Sequence, residues 1–348
     1  MIKIKYPTNL TNFQDDYLTI FDDSFLNSSF CGKRVKDILL MSIEDIIEFK
    51  NTNIDYNSNQ DINTKREFKY DIYQKKIAEL FMKYQKEMNL NSCYFCNINY
   101  IYSFENKYCD EIEFVRYASK SELSNVNGIT IETAKLIVEY RNENNITSLD
   151  DMTFLNTRRQ NSIKNRGNNS YNHFTLDHII EKSSHPLFAL SLYNLIPSCS
   201  VCNSKYKGTI ELVKNSNDLK FIPSYKNNSF NNEVKFKLYF DDGCSVEESI
   251  NLNKIKIVLK SDDVVYRKYI STFKLYSRYQ EHSPIAIDLI EKSQKYSYTK
   301  INQMARIVSK PVLEIKKDIF GREIFEGDLG KVPLTKLKRD ICKSVGVL

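Results

Sequence analysis

The apolar positions Tyr73, Ile77, Leu80, Phe81, Tyr84 and Met88 recur at spacings of three and four. They predict an amphipathic helix that leads directly towards Cys93. Two later segments alternate with period two. Val234, Phe236, Leu238 and Phe240 are interleaved with Lys235, Lys237 and Tyr239, and Ile255, Ile257 and Leu259 repeat the pattern, predicting an antiparallel pair of half-buried strands. Helical spacing resumes from about 264 to 280. It returns after Ser283-Pro284, where proline suits a first helical turn, and again from Pro333 through Leu334, Leu337 and Ile341. Residues 1–66 mix short apolar runs with Asn/Asp-rich stretches such as NTNIDYNSNQDINTK and read as loosely structured helical segments. No repeat marks a solenoid. The pattern as a whole is α+β: a helical N-terminal region over 1–90, a core over 91–216 interrupted by a helical insert at 117–158, and an α+β C-terminal domain over 217–348.

The 348 residues, 41% of them hydrophobic, can fill more than one core. No apolar run approaches the ~18 residues of a membrane span, and no membrane partner is expected. The start, MIKIKYPTNLTNFQDDY, lacks the apolar segment of a signal peptide, so a cytoplasmic location is expected. The net charge of +6 is unevenly placed: residues 217–348 carry +7 and residues 156–208 carry +5. A basic stretch of that kind suits a polyanionic partner, or is simply a solvated face.

Cysteines sharpen the picture. Cys31, Cys109, Cys244 and Cys342 are isolated, whereas Cys93-Tyr-Phe-Cys96 and Cys199-Ser-Val-Cys202 form two matched pairs among the eight. Without an export signal a disulfide framework is not expected. Two such pairs instead predict four thiolates around a structural zinc; two unrelated pairs of buried thiols are the alternative. The 102 residues between Cys96 and Cys199 would then be an insertion whose ends the metal pins together.

Residues 119–155 give a short apolar helix ending at Asn127-Gly128, a second helix from about Ile131 with Ala134, Ile137, Val138 and Arg141, and a further turn from Ser148. The segment resembles a helix-hairpin-helix motif, with Gly128-Ile129-Thr130 where the motif usually reads Gly-apolar-Gly. That resemblance implies contacts to nucleic-acid phosphate from Gly128, Ile129, Thr130 and Lys135. A helical insert that serves only packing is the alternative.

The chemistry concentrates further on. Asp177-His178 ends an apolar run, and His178 is one of only four histidines. Neighbours on a strand face opposite ways, so the two address different sides rather than forming a dyad. Asn203 follows the last cysteine, where its amide oxygen suits Mg²⁺ or its side chain caps a helix. Cys-x₂-Cys, Asp177-His178, Asn194, then Cys-x₂-Cys-Asn with a following Lys-Gly is similar to the HNH, or His-Me finger, endonuclease family, in the subgroup with a four-cysteine zinc. The resemblance covers 93–96 and roughly 171–208 and implies a ββα-metal nuclease core. It implies that His178 is the general base, that Asp177 and Asn203 hold one Mg²⁺ or Mn²⁺, that Asn194 orients the loop bearing the base, and that Lys205 or Lys207 contacts phosphate. It further implies a DNA substrate gripped mostly by its backbone, and a role in restriction or anti-phage defence beside an ATPase partner. A zinc-stabilised DNA-binding or assembly subunit without turnover, and the same chemistry on RNA, are the competing readings.

Overall fold

The computed structural model describes residues 2–53, 67–105, 108, 110–166, 170–213, 215–225, 228–240 and 255–348. Cys109, Cys244 and most of the Asn/Asp-rich stretch lie outside the described residues. The chain forms two compact units, residues 1–102 with 172–348, and residues 103–171. No described helix is long and apolar enough to cross a membrane.

In the larger unit one continuous core runs from Ile2 to Val347. Four helices, Leu10–Leu18, Asp23–Asn27, Val35–Leu39 and Ile43–Thr52, supply its N-terminal part. They are followed by Tyr70–Lys83, which buries Tyr70, Ile77, Leu80 and Phe81 on one side. Phe13 meets Phe81 and Tyr84 edge-on, with ring centroids 6.0 and 5.0 Å apart. The single helix expected to reach Met88 breaks at Tyr84, and its short continuation Gln85–Met88 ends at Asn89, which adopts φ +50°. Asparagine tolerates that left-handed conformation, so the chain can reverse there into the first cysteine pair.

The Cys93–Asn97 knuckle is where distant segments meet. Ile2 N–H donates to Tyr94 O at 3.0 Å and Leu334 N–H to Asn97 O at 2.6 Å. The hydroxyls of Tyr269 and Tyr279 donate to Phe95 O and Cys96 O, each at 2.6 Å. Asn97 is fully buried at φ +54°; its amide donates to Ser92 Oγ at 2.9 Å and Leu329 O at 3.1 Å, while Ser92 donates to Gly330 O at 2.9 Å.

The expected strand pair forms as Lys235–Phe240 against Ile255–Lys260, antiparallel, with Phe236 opposite Leu259 and Leu238 opposite Ile257. The helix expected over 264–280 is two helices, Val264–Thr272 and Leu275–Gln280, parted at Lys274 with φ +51°. The break lets Phe273 stack on Phe95, with centroids 4.8 Å apart at 18°, while Tyr279 reaches the Cys96 carbonyl. The helix Ser283–Lys295 carries Pro284 in its first turn, as its sequence predicts. The last helix, Thr335–Ser344, starts two residues after Pro333 and buries Leu337 and Ile341.

The smaller unit contains the insert expected at 117–158 and has its own core of Phe114, Leu123, Ile129, Ile137, Leu149 and Ile163. Its helices are Glu111–Tyr117, Lys120–Ser124, Ile131–Glu143 and Thr157–Lys164. Ser119 and Glu122 form a reciprocal cap on the second of these, which stops at Ser124 rather than Asn127. Gly128, at φ +85°, makes the turn, and Thr130 caps the helix that follows.

Replacing Asn97 by Ala is expected to cost about 2–4 kcal/mol, because it leaves buried carbonyls without donors and puts at positive φ a residue without asparagine's tolerance of that conformation. Urea denaturation of the full chain would measure it, and Asn97→Gly should recover only the backbone share.

Candidate active site and cysteine cluster

The two cysteine pairs, far apart in sequence, come together. The sulfurs of Cys93, Cys96, Cys199 and Cys202 all lie within 4.8 Å of one another, and all four residues are buried. A tetrahedron with zinc–sulfur bonds of about 2.3 Å needs sulfurs about 3.8 Å apart, so the donor set and its spacing fit that metal. Donors point at the sulfurs: Cys199 N–H to Cys93 at 3.3 Å, Ile98 N–H to Cys96 at 3.4 Å and Arg278 to Cys202 at 3.3 Å. Such hydrogen bonds favour thiolate over thiol and hold the ligands in place. The cluster could hold a metal such as zinc.

Immediately before Cys199 the chain makes a two-stranded antiparallel pair, Thr175–His178 with Leu195–Ser198, in which Asp177 lies opposite Ile196 and His178 opposite Leu195. A wide helical turn of the π type, Val201–Lys207, follows the second strand. The order is strand, loop, strand, helical turn. Asp177 shares a face with Thr175 and His178 is on the other, as the alternation requires. Asn203 Nδ2 donates to Thr175 Oγ1 at 2.9 Å and Lys207 Nζ to Asp177 Oδ1 at 3.0 Å, so residues four apart on the turn address one face of the strand. The amide of Asn203 thus spends its NH₂ on Thr175, and no described residue donates to its carbonyl oxygen.

Asp177 is 3% exposed, and its Oδ2 is buried without a hydrogen-bond partner among the described residues. Burial pushes its carboxyl up to about 6, against the pull of the Lys207 ammonium. Lys207 is itself only 2% exposed, whereas Lys205 is exposed. Of the two lysines that the sequence left open, Lys207 is turned inward onto Asp177.

His178 is 7% exposed, and Nε2 lies 2.9 Å from Ala189 O. A carbonyl can only accept, so Nε2 carries the proton and Nδ1 keeps its lone pair. Burial pushes the imidazole down to about 4, although the Ala189 carbonyl opposes the shift, and the ring is a neutral base at pH 7. Asn194, fully buried, sets the loop that supplies this carbonyl. Its Oδ1 accepts from Ile180 N–H at 2.7 Å, and its Nδ2 donates to Ile180 O at 3.1 Å and Phe188 O at 2.9 Å. One side chain therefore ties both ends of the loop together, one residue before Ala189. Ser191 donates to Ile38 O at 2.9 Å and Tyr17 to Leu190 O, anchoring the loop on the N-terminal helices.

Two further side chains reach this site without any signal in the sequence. The Tyr70 ring meets the His178 ring edge-on, with centroids 4.5 Å apart at 80°, and Lys182 lies over the Tyr70 ring. The apolar pattern read from the sequence begins at Tyr73, and nothing local marks Tyr70.

The hairpin residues lie in the smaller unit. Gly128 makes the turn, Ile129 is 4% exposed in that unit's core, Thr130 caps the next helix, and Lys135 is exposed and pairs with Glu139 at 3.5 Å. In the same unit a cleft of about 700 Å³ is lined by Asn125, Asn127, Arg158, Asn161, Asn165 and Arg166.

Asn194→Ala is expected to cost about 2–4 kcal/mol, since it strands Ile180 N–H and Phe188 O in the interior. Thermal melting would show the loss, and hydrogen exchange should place it in the loop 179–194. Among known proteins, the HNH endonuclease family matches residues 162–208. No curated protein and no solved structure matches the chain. The chain carries an HNH endonuclease domain, whose general activity is nuclease chemistry.

Proposed function

We propose that the chain is a metal-dependent endonuclease that hydrolyses DNA. The observation that carries this reading is the neutral His178, its Nε2–H held by Ala189 O, backed through the strand by Asp177 and Asn203 within the HNH segment. His178 Nδ1 takes a proton from water, the water oxygen attacks phosphorus, and the bond to the 3′ oxygen breaks; that oxygen takes a proton from solvent, leaving 5′-phosphate and 3′-hydroxyl ends. Asn194 acts at one remove by fixing the loop that orients the imidazole.

Asp177 and Asn203 are the residues that would hold Mg²⁺ or Mn²⁺. Asp177 Oδ2, buried and without a partner among the described residues, and the Asn203 amide oxygen are hard donors of the kind these cations take. The cation supplies charge neutralisation at the phosphate and at the departing oxygen. Lys207 holds the Asp177 carboxylate in position, and Lys205, exposed on the same turn, is the lysine that contacts phosphate. The four cysteines hold a structural zinc. The hairpin at Gly128–Thr130, with Lys135, resembles a helix-hairpin-helix and contributes backbone affinity without reading sequence. Restriction or anti-phage defence, with an ATPase partner, completes the reading; unchanged phage plating with and without the gene would argue against that role.

A second reading has one observation in its favour. His178 is almost wholly buried and Lys207 already occupies one Asp177 oxygen, as suits a zinc-stabilised DNA-binding subunit without turnover.

Purified protein with Mg²⁺ or Mn²⁺ should nick supercoiled plasmid, and His178→Ala should lower the rate about 10²- to 10⁴-fold. Salt-sensitive DNA binding with no cleavage under any divalent cation would favour the second reading. Parallel digestion of RNA decides the substrate. Elemental analysis should find about one zinc per chain, and its removal should unfold the larger unit; a metal-free preparation that stays folded would contradict the zinc assignment.

A further inference from the structure

The helix Tyr70–Lys83 starts against the His178 strand. Tyr70 is 5% exposed, and its hydroxyl is buried with no hydrogen-bond partner among the described residues. Few side-chain atoms of the described residues are in that state, and two of them, Tyr70 Oη and Asp177 Oδ2, belong to residues flanking His178. A buried hydroxyl without a partner is destabilising, because it has given up its bond to water. Phenylalanine would fill the same space without that cost, so the hydroxyl destabilises the protein unless a ligand engages it.

The surroundings indicate which ligand. Lys182 Nζ lies 4.6 Å from the Tyr70 ring centroid and pairs with Asp71 at 2.9 Å, so an ion pair covers the ring. The ammonium groups of Lys182 and Lys207 act on His178, opposed by the carboxylate of Glu181. Burial, with the charges of Asp71 and Asp177 adding to it, keeps the proton on the phenol, so Tyr70 can donate but does not act as a base. The acceptor nitrogen of His178 is committed to the attacking water. The acceptors that the nuclease reading itself brings to His178 are the non-bridging oxygens of the phosphodiester, which gain charge as the water attacks.

Resting on the nuclease reading above, we propose that Tyr70 is a further catalytic residue whose hydroxyl donates to a non-bridging oxygen of the scissile phosphate, with Lys182 and Asp71 positioning it.

The test uses the full chain with Mn²⁺ or Mg²⁺ and a plasmid substrate under single-turnover conditions. Tyr70→Phe should slow cleavage about 10- to 100-fold with the DNA concentration for half-maximal rate little changed. Its melting temperature should be equal or higher, by about 2 °C, because only an unsatisfied hydroxyl is lost. Sulfur in place of the contacted oxygen should slow the wild type, and that penalty should shrink in Tyr70→Phe. A Tyr70→Phe enzyme that cleaves at the wild-type rate, while His178→Ala is inactive, overturns the proposal and leaves the nuclease reading standing. A slowed variant with a lowered melting temperature and an unchanged sulfur penalty also overturns it, since that is a packing role. If wild type and His178→Ala behave alike, the base assignment falls and this proposal falls with it.

Discussion

The convergence of four cysteine sulfurs is the constraint on which the larger unit depends. It joins two chain segments with 102 residues between them, and closing a loop of that length without a crosslink carries a large entropic cost. The consequences spread outward from the knuckle. Its carbonyls receive the N-terminal Ile2, the C-terminal Leu334, and the hydroxyls of Tyr269 and Tyr279. The N-terminal helices, the strand pair and the C-terminal helices therefore share one core rather than forming a row of domains. Chain entry and exit close locally: His173 N–H donates to Tyr102 O at 2.8 Å and the two rings stack 4.8 Å apart.

The same cluster sets the position of the candidate active site. Cys199 directly follows the strand that pairs with Asp177-His178, and Cys202 lies in the first part of the turn that carries Asn203 and Lys207. Once the sulfurs are fixed, strand alternation sends Asp177 towards Asn203 and Lys207, and His178 towards the Asn194 loop. The site is built from few side chains, each with little freedom left. Asn194 is saturated, Nε2 of His178 is committed, and one oxygen of Asp177 is taken.

Against this saturation, the unpartnered atoms stand out. Asp177 Oδ2 and Tyr70 Oη each carry a burial cost that an apolar residue would avoid, and both are at the HNH strand. Local rules of packing are broken where a site must receive something from outside.

By itself the sequence determined the parts whose information is local. Period-two alternation located the strands Lys235–Phe240 and Ile255–Lys260, Ser283-Pro284 marked a helix start, and the matched cysteine spacings predicted a cluster. The order Asp177-His178, Asn194, Cys-x₂-Cys-Asn likewise lies within a short stretch, where the spacing carries the chemistry. Helix interruptions at Tyr84 and Lys274 were not legible, because periodicity continues across them and only contacts such as Phe273 on Phe95 decide the break. Nor could sequence foresee that Lys207 turns inward onto Asp177 while Lys205 stays exposed; packing of the turn decides it. Tyr70 was hidden entirely. The 106 residues between Tyr70 and Asp177 leave no pattern connecting them, and the place of Tyr70 beside His178 follows only from packing the helix Tyr70–Lys83 onto the core. Short-range periodicity fixes elements, whereas the meeting of remote side chains is settled only when apolar faces are buried together.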